Sequence, residues 1–355
     1  MRLQPLREMM KIPNTKVGIA FAIIVPLLFA IIWLTGYHDA TTHFDRLKVA
    51  VVNEDGNQAD SIAEQMTANL PFSAEAMSYK DAREQLDAND ITMMIIIPEA
   101  FTKHLAAQAD TSLEFHMNSA NSQVALSAAE SAARQMTASI GGSHVQADII
   151  KENSISNFAT SMVPMMLGFI VFIAFMTMNI QFNIVTQILN RKFGKWQVFW
   201  NKQLLLAIIG VVVPTIIVTI HALANDTASS YMQLWGFELL VAFACISFTQ
   251  MSFAIFGNAG ALFNVAMIPF MLMTAGNIIP VDMLSPVFRF IGDILPASNG
   301  VQGFAQLIYN GEGASANVLH LVLILVVTFA LTCAAVMLKK QHVPYVTKDN
   351  KTAAV

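Results

Sequence analysis

Six apolar stretches dominate this sequence, at 17–36, 160–182, 204–223, 236–256, 261–280 and 318–338. Each is close to the roughly 20 residues a helix needs to cross about 30 Å of hydrocarbon. A chain built around six such stretches cannot hide them in one water-soluble core. The charge content agrees: 12% of the 355 residues are charged and 55% are hydrophobic, against about 25% charged in soluble domains. That hydrophobicity excludes disorder, and a net charge of −4 without a basic excess excludes a nucleic-acid binder. The expectation is a polytopic α-helical membrane protein.

The net charge conceals a division between connecting segments. The N-terminus (Arg2, Arg7, Lys11, Lys16), the loop with Arg191, Lys192, Lys195 and Lys202, and the tail (Lys339, Lys340, Lys348, Lys351) hold 12 basic residues against Glu8 and Asp349. Segment 37–158 holds 17 acidic and 7 basic residues. The positive-inside rule puts both termini in the cytoplasm and the acidic segment outside, and six crossings likewise leave both ends on one side. The first span is too long for a signal peptide and lacks a small-x-small cleavage site, so it reads as an uncleaved anchor. Trp33, Tyr37 and Trp235 suit an interfacial belt. Cys245 and Cys333 fall within spans and are expected to pack rather than to react.

The exported segment mixes two periodicities. Lys48 to Asn53 reads as a buried strand, followed by the turn Glu54-Asp55-Gly56 and a helix to about Leu70. Further strands are expected at 72–79, 91–97 and 113–117, with helices at 80–89 and 99–108. This alternation predicts a small α/β domain with helices over a sheet. From Asn121 the chain is Ala- and Ser-rich with small residues at helical spacing (Ala125, Ala129, Ala132), which suits a packing or dimer helix. His38, His43, His104, His116 and His144 lack metal-ligand spacing. No Gly-x-Ser-x-Gly or cysteine nucleophile occurs in the segment, so no catalytic residue, metal site or cofactor is assigned.

Two connecting segments carry more information. The inner loop, 190–203, combines Arg191, Lys192, Lys195 and Lys202 with Phe193, Trp196, Phe199 and Trp200. Both an interfacial helix anchored in headgroups and a short helix lying across the membrane face to dock a cytoplasmic partner fit that composition. After the fifth span, 281–316 contains two short apolar pieces bounded by Pro280, Pro286, Pro296 and Gly300. They are too brief to cross, so they read as a re-entrant pair packed on protein, or as a hairpin on the outer surface. Within the spans, Asn179, Gln181, Gln250 and Asn264 are candidates for a pathway lining, or for interhelical hydrogen bonds. Glu238 near an outer helix end is a functional candidate, or an acid that reaches the interface.

Three stretches carry a family resemblance. Val49-Ala50-Val51-Val52-Asn53-Glu54-Asp55-Gly56, Ile95-Ile96-Ile97-Pro98-Glu99-Ala100-Phe101, and Gly276-Asn277-Ile278-Ile279-Pro280 running on to Leu295-Pro296 are similar, in order and spacing, to the ABC-2 type ABC transporter permeases. The branch they most resemble is the phage-infection-protein-like one. The sequence departs from that pattern at Asn277, where a second Gly is usual, and in lacking an acidic residue at the start of the inner loop. The resemblance implies a cytoplasmic N-terminus and first span over 1–36, and an extracytoplasmic α/β domain over 37–158. A five-helix transmembrane domain over 159–340 follows, with coupling loop 190–203 and re-entrant segment 281–316, and then a cytoplasmic tail over 341–355. It further implies a dimer with a second copy or paralogue in the lipid bilayer of the bacterial cell membrane, driven by a separate ABC ATPase subunit. No Gly-x-x-x-x-Gly-Lys-[Ser/Thr] loop occurs, so ATP belongs to that partner and not to this chain. Arg191, Lys192, Lys195, Trp196, Trp200 and Lys202 would couple to it. Gly276, Asn277, Pro280, Pro286 and Pro296 would shape the re-entrant segment. The expected function is export of a hydrophobic or amphipathic substrate; the alternative is a surface receptor or secretion-accessory protein whose external domain binds a phage, a protein or a wall component.

Overall fold

The computed structural model of the chain describes residues 31–32, 35–37, 40–119, 121–141, 144–152, 162–224, 227–310 and 314–339. Most of the first expected span, the N-terminal cations, Trp33, and the tail from Lys340 onward lie outside the described residues.

The α/β domain is a five-stranded sheet. Its strands are β1 (Lys48–Asn53), β2 (Ser73–Ala76), β3 (Met93–Ile97), β4 (Thr111–Asn118) and β5 (Val145–Glu152), in the order β2-β1-β3-β4-β5. β1 runs parallel to β2 and β3, β3 antiparallel to β4, and β4 parallel to β5. The central pair is apolar at nearly every position because both faces are covered, as parallel strands require. The period of two sorts the residues. Val49, Val51, Met93, Ile95 and Ile97 face one core together with helices α1 (Asp60–Asn69) and α4 (Gln123–Gly141). Ala50, Val52, Met94 and Ile96 face another with α2 (Tyr79–Asp87). The Ala-rich helix α4 buries Ala125, Ala129, Ala132 and Ala133 in the first of these cores. The short α3 (Phe101–Ala106) follows β3 and sinks Phe101 into the same core.

β5 was not expected from the sequence. Only Val145 is fully buried in it, and Asp148, Lys151 and Glu152 interrupt the apolar pattern. It lies at the edge of the sheet, beside β4. A half-wet edge strand keeps too few apolar residues to be distinguished from a loop.

The remaining helices form a bundle: α5 (Val163–Leu189), α6 (Lys195–Ala224), α7 (Tyr231–Phe256), α8 (Gly260–Met273), α9 (Pro286–Asp293), α10 (Pro296–Tyr309) and α11 (Ser315–Leu338). Among the described residues, four segments are long and apolar enough to cross a membrane: Val163–Leu189, Lys195–Leu223, Tyr231–Met273 and Ser315–Leu338. The third holds both α7 and α8. α7 starts on a capping box between Ser230 and Gln233 and stops at Gly257, whose φ of 59° favours glycine. A 3-10 turn, Gly257–Ala259, reverses the chain, and Asn264 Nδ2 donates to Thr249 O at 3.3 Å, so α8 returns along α7. The stretch expected at 261–280 is therefore a 14-residue helix ending at Met273, with an irregular segment after it.

α7 is the hub of the bundle, with α5, α6, α8, α10 and α11 packed around it. α10 is buried for most of its length between α5, α7 and α11. At Gly168 of α5 an added Cβ would sit 2.8 Å from the Val301 backbone N and 3.1 Å from Ala297 O. Only glycine allows that approach. α9, by contrast, turns Val287 and Phe290 outward, each more than 60% exposed.

The segment between α8 and α9 joins the two halves. Ile279, Met283 and Leu284 enter the α/β core beside Val49, Val51 and Phe101, and Arg46 Nη1 donates to Leu284 O at 3.0 Å. Tyr37 OH donates to Met273 O at 3.3 Å, and Asn118 Nδ2 to Asn310 Oδ1 at 3.1 Å.

Candidate functional site

The three sequence stretches that stand far apart along the chain meet at this joint. β1 and β3 are neighbours in register, Val51 beside Ile95. At their ends Asn53 Oδ1 accepts from Asp55 N at 3.0 Å, and Gly56 takes φ 68°. Asp55 Oδ2 accepts from Thr102 N at 2.8 Å and from the Thr102 hydroxyl at 2.5 Å. Those bonds hold the Asp55 carboxyl below its usual range and tie the first stretch to the helix opened by the second. The third stretch turns at Gly276, φ 81°, and inserts Ile279 into the core that the other two build.

Beside the joint lies a cavity of about 340 Å³, with Asn89 and Asp90 of the domain on one side and Gly276, Asn277, Gln302 and Gln306 of the bundle on the other. Pro280 lines it as well, whereas Pro286 and Pro296 open α9 and α10. The sequence pointed to the prolines but not to the polar centre behind them. Asn299 Nδ2 donates to Gly292 O, Asp293 O and Leu295 O at 2.9–3.1 Å, closing the end of α9. Its Oδ1 accepts from Asn317 Nδ2 at 3.3 Å and lies 3.0 Å from His320 Nδ1. Thr274 and Ser298 hydroxyls are 2.8 Å apart. The only sequence signal for this cluster is an Asn-Gly pair placed just after a proline.

At the opposite end of the bundle a second cavity, about 430 Å³, opens between the ends of α5, α6, α7 and α11. Asn183, Gln187, Arg191, Lys202, Gln250 and Lys339 are among its lining residues. The predicted loop forms no separate helix across the bundle end. Lys195 to Trp200 are the opening turns of the long helix α6, and only 190–194 connects it to α5. Lys195 Nζ donates to Met337 O and Lys339 O, both at 2.7 Å, so it closes the carbonyl end of α11. Trp196 packs edge-on against Phe199 at 5.5 Å and is half-buried. Lys192, Phe193 and Trp200 face outward, Trp200 57% exposed.

The pathway candidates divide. Asn179 Nδ2 donates to the Thr249 hydroxyl at 2.9 Å, Asn264 bonds Thr249 O, and Gln250 is the next residue on α7, lining the basic-end cavity. Gln181 is exposed, away from that cluster. Glu238 does not reach an interface: it is fully buried, and among the described residues neither carboxyl oxygen has a hydrogen bond.

An α-helical bundle with membrane-crossing segments, joined to an α/β domain at one end and bearing cations at the other, defines a multi-pass membrane protein. The chain belongs to the family described as "ABC-2 family transporter protein", which it matches over residues 16–337, and is therefore a permease-type membrane transport component. It is also 20% identical over 161 residues to the uncharacterized protein YhgE of Bacillus subtilis (strain 168), a match covering 45% of this chain and 21% of that protein. The chain thus spans about a fifth of that relative's length.

Proposed function

We propose that this chain is the transmembrane subunit of an ABC exporter in the bacterial cell membrane, moving a hydrophobic or amphipathic substrate outward at the expense of ATP hydrolysed by a separate subunit. In this reading the bundle crosses six times, counting the first apolar stretch, and works with a second permease copy or paralogue. The α9–α10 pair is re-entrant, and both termini are cytoplasmic. The observation that carries the reading is the basic end. Four helix ends converge there, and the outward residues Lys192, Phe193 and Trp200 form a cationic and aromatic contact surface. Lys195 locks α6 to the end of α11, so force applied at this surface would reach two long helices at once. The receptor reading is less favoured, because Ile279, Met283 and Leu284 build the external domain's core from the bundle's own chain, as a moving joint would and a mere anchor need not.

The test is isolation of the intact protein with its partners. An ATPase subunit is expected to co-purify, and Trp196→Ala with Trp200→Ala is expected to abolish stimulation of its ATP hydrolysis. Absence of any associated ATPase, with transport unchanged in the double variant, sinks the reading.

A further inference from the structure

The basic-end cavity holds a charge imbalance that protein docking does not resolve. Among the described residues, four cations, Arg191, Lys195, Lys202 and Lys339, line it without one carboxylate. Among the described residues none of the four is in a salt bridge to Asp or Glu. Lys195 is satisfied by two carbonyls, but among the described residues Lys202 has no such partner. It stands on the second and third turns of α6, half-buried, and lines the cavity alongside Gln250 and Phe253. An ammonium group drawn into a helix bundle without a counter-ion is costly, and such groups pair or mark a ligand pathway. Gln250 adds a second, independent signal: it is 3% exposed, lines the same cavity, and its Oε1 has no hydrogen-bond partner among the described residues. An unpaired buried acceptor beside an unpaired cation calls for a ligand with both an anionic oxygen and a hydroxyl.

We propose that the cavity between the basic ends of α5, α6, α7 and α11 binds the phosphate-bearing headgroup of an amphiphile, with Lys202, Arg191 and Lys339 meeting the phosphate and Gln250 accepting from a headgroup hydroxyl. The division of the surface argues for a small anion here rather than an acidic protein: the side chains suited to a protein partner, Lys192, Phe193 and Trp200, face outward, while Lys202 and Gln250 face the cavity. The acyl chains would lie along the apolar flank of α6, where Leu204, Leu205 and Ile208 are exposed on the following turns. The cavity's role as a loading point rests on the exporter reading; headgroup binding does not.

The test uses the intact chain in nanodiscs of phosphatidylcholine with a minor fraction of phosphatidylglycerol, reading the retained lipid by native mass spectrometry. Phosphatidylglycerol is expected to be enriched roughly thirtyfold over its bulk share, as befits two cations near an anionic headgroup. Lys202→Gln is expected to bring retention to the bulk ratio, Lys202→Arg to keep the enrichment, and Lys151→Gln in the α/β domain to leave it unchanged. Displacement by millimolar inorganic phosphate would identify the phosphate alone as the recognised group; resistance to it would identify the lipid. Should Lys202→Gln not fold, a salt titration of the natural chain serves, with enrichment falling as salt rises. Equal retention of both lipids, or enrichment indifferent to Lys202→Gln and to salt, overturns the proposal and assigns the cations to the ATPase surface. Lost enrichment with an ATPase still bound removes this site alone; retained enrichment with no ATPase removes the exporter reading alone.

Discussion

The two halves of the molecule treat buried polar groups in opposite ways. In the α/β domain, Asn118 is 1% exposed and its amide reaches Leu86 O at 3.0 Å as well as Asn310. Glu152 accepts from Arg83 at 2.7 and 3.2 Å and lies 2.7 Å from His116 Nδ1. In the bundle, Asn179 Oδ1, Gln250 Oε1, Asn264 Oδ1 and both oxygens of Glu238 have no hydrogen bond among the described residues. Buried polar atoms without partners cost about 1–3 kcal/mol each, so a domain folding in water discards them. The bundle keeps them on several helices, Gln203 of α6 and Gln306 of α10 included, and Asn179 of α5 and Asn264 of α8 meet α7 at Thr249. A polar seam inside an apolar bundle is a liability for stability. The comparison therefore separates a half whose buried polar groups are paired from a half that carries unpaired ones.

The bundle brings the backbones of α5 and α10 close together at Gly168, which is the place to break its packing. Its Cβ would meet the Val301 backbone and Ala297 O, which cannot rotate aside. Gly168→Val is expected to cost roughly 3 kcal/mol, at the upper end of overpacking penalties, and to lower the thermal midpoint of the intact protein in detergent. An unchanged midpoint would mean that α5 and α10 separate freely and that the bundle is loose throughout.

Glu238 sharpens the comparison from the other side. Replacing an unpaired buried acid with an apolar side chain of similar length removes a desolvation penalty. Glu238→Met is expected to stabilise the bundle by about 2 kcal/mol, seen as a raised midpoint, while reducing transport-linked ATP hydrolysis. A lowered midpoint would mean that the carboxyl has a structural partner and that the seam does not extend to this part of α7.

Much of this contrast was legible in the sequence, and its limits are physical. The apolar stretches are readable because crossing a membrane imposes a length and a composition that no other environment demands. β1 and β3 are readable because central strands are apolar on both faces. What escaped depended on partners distant in the chain. α8 ends at Met273, where Tyr37 OH reaches its carbonyl, and the chain beyond it enters the α/β core at Ile279, which the apolar run through Pro280 does not reveal. Lys195 looked like a loop cation, yet it caps α11 and extends α6. Asn299 was one polar residue among many until three backbone carbonyls closed around it. Among the pathway candidates, nothing in spacing distinguished buried Asn179 from exposed Gln181, two residues apart on one helix.

The Arg83–Glu152 pair tests the satisfied half. The Arg83 guanidinium, then His116, hold the Glu152 carboxyl below its ordinary value of 4.5. A carboxyl depressed in the fold stabilises above its unfolded value and loses that contribution as pH falls. Arg83→Gln is expected to cost about 1 kcal/mol at neutral pH, the scale of a partly exposed but bidentate pair. The gap between natural and variant protein should close as pH drops below the ordinary carboxylate range. Hydrogen exchange at β5, which carries Glu152 at its end, reads the difference locally. A gap that stays constant down to acid pH would mean that Arg83 acts by packing alone.

The smallest expected effect lies at Asp55, where the domain's first and second signature stretches are joined. Its carboxylate takes the backbone N and hydroxyl of Thr102, as a cap takes the free donors of a helix start, although it comes from 47 residues earlier. Asp55→Ala is expected to destabilise by about 0.5–1 kcal/mol, the lower range for a lost cap, and Asp55→Asn by less, since its amide oxygen still accepts. The cost should fade in acid, because the depressed carboxyl contributes only while ionised. The informative readout is protection at Phe101 and Thr102, which should fall while protection in α10 does not. Loss in both would mean that the joint formed by Phe101 and Ile279 in one core transmits strain between the halves.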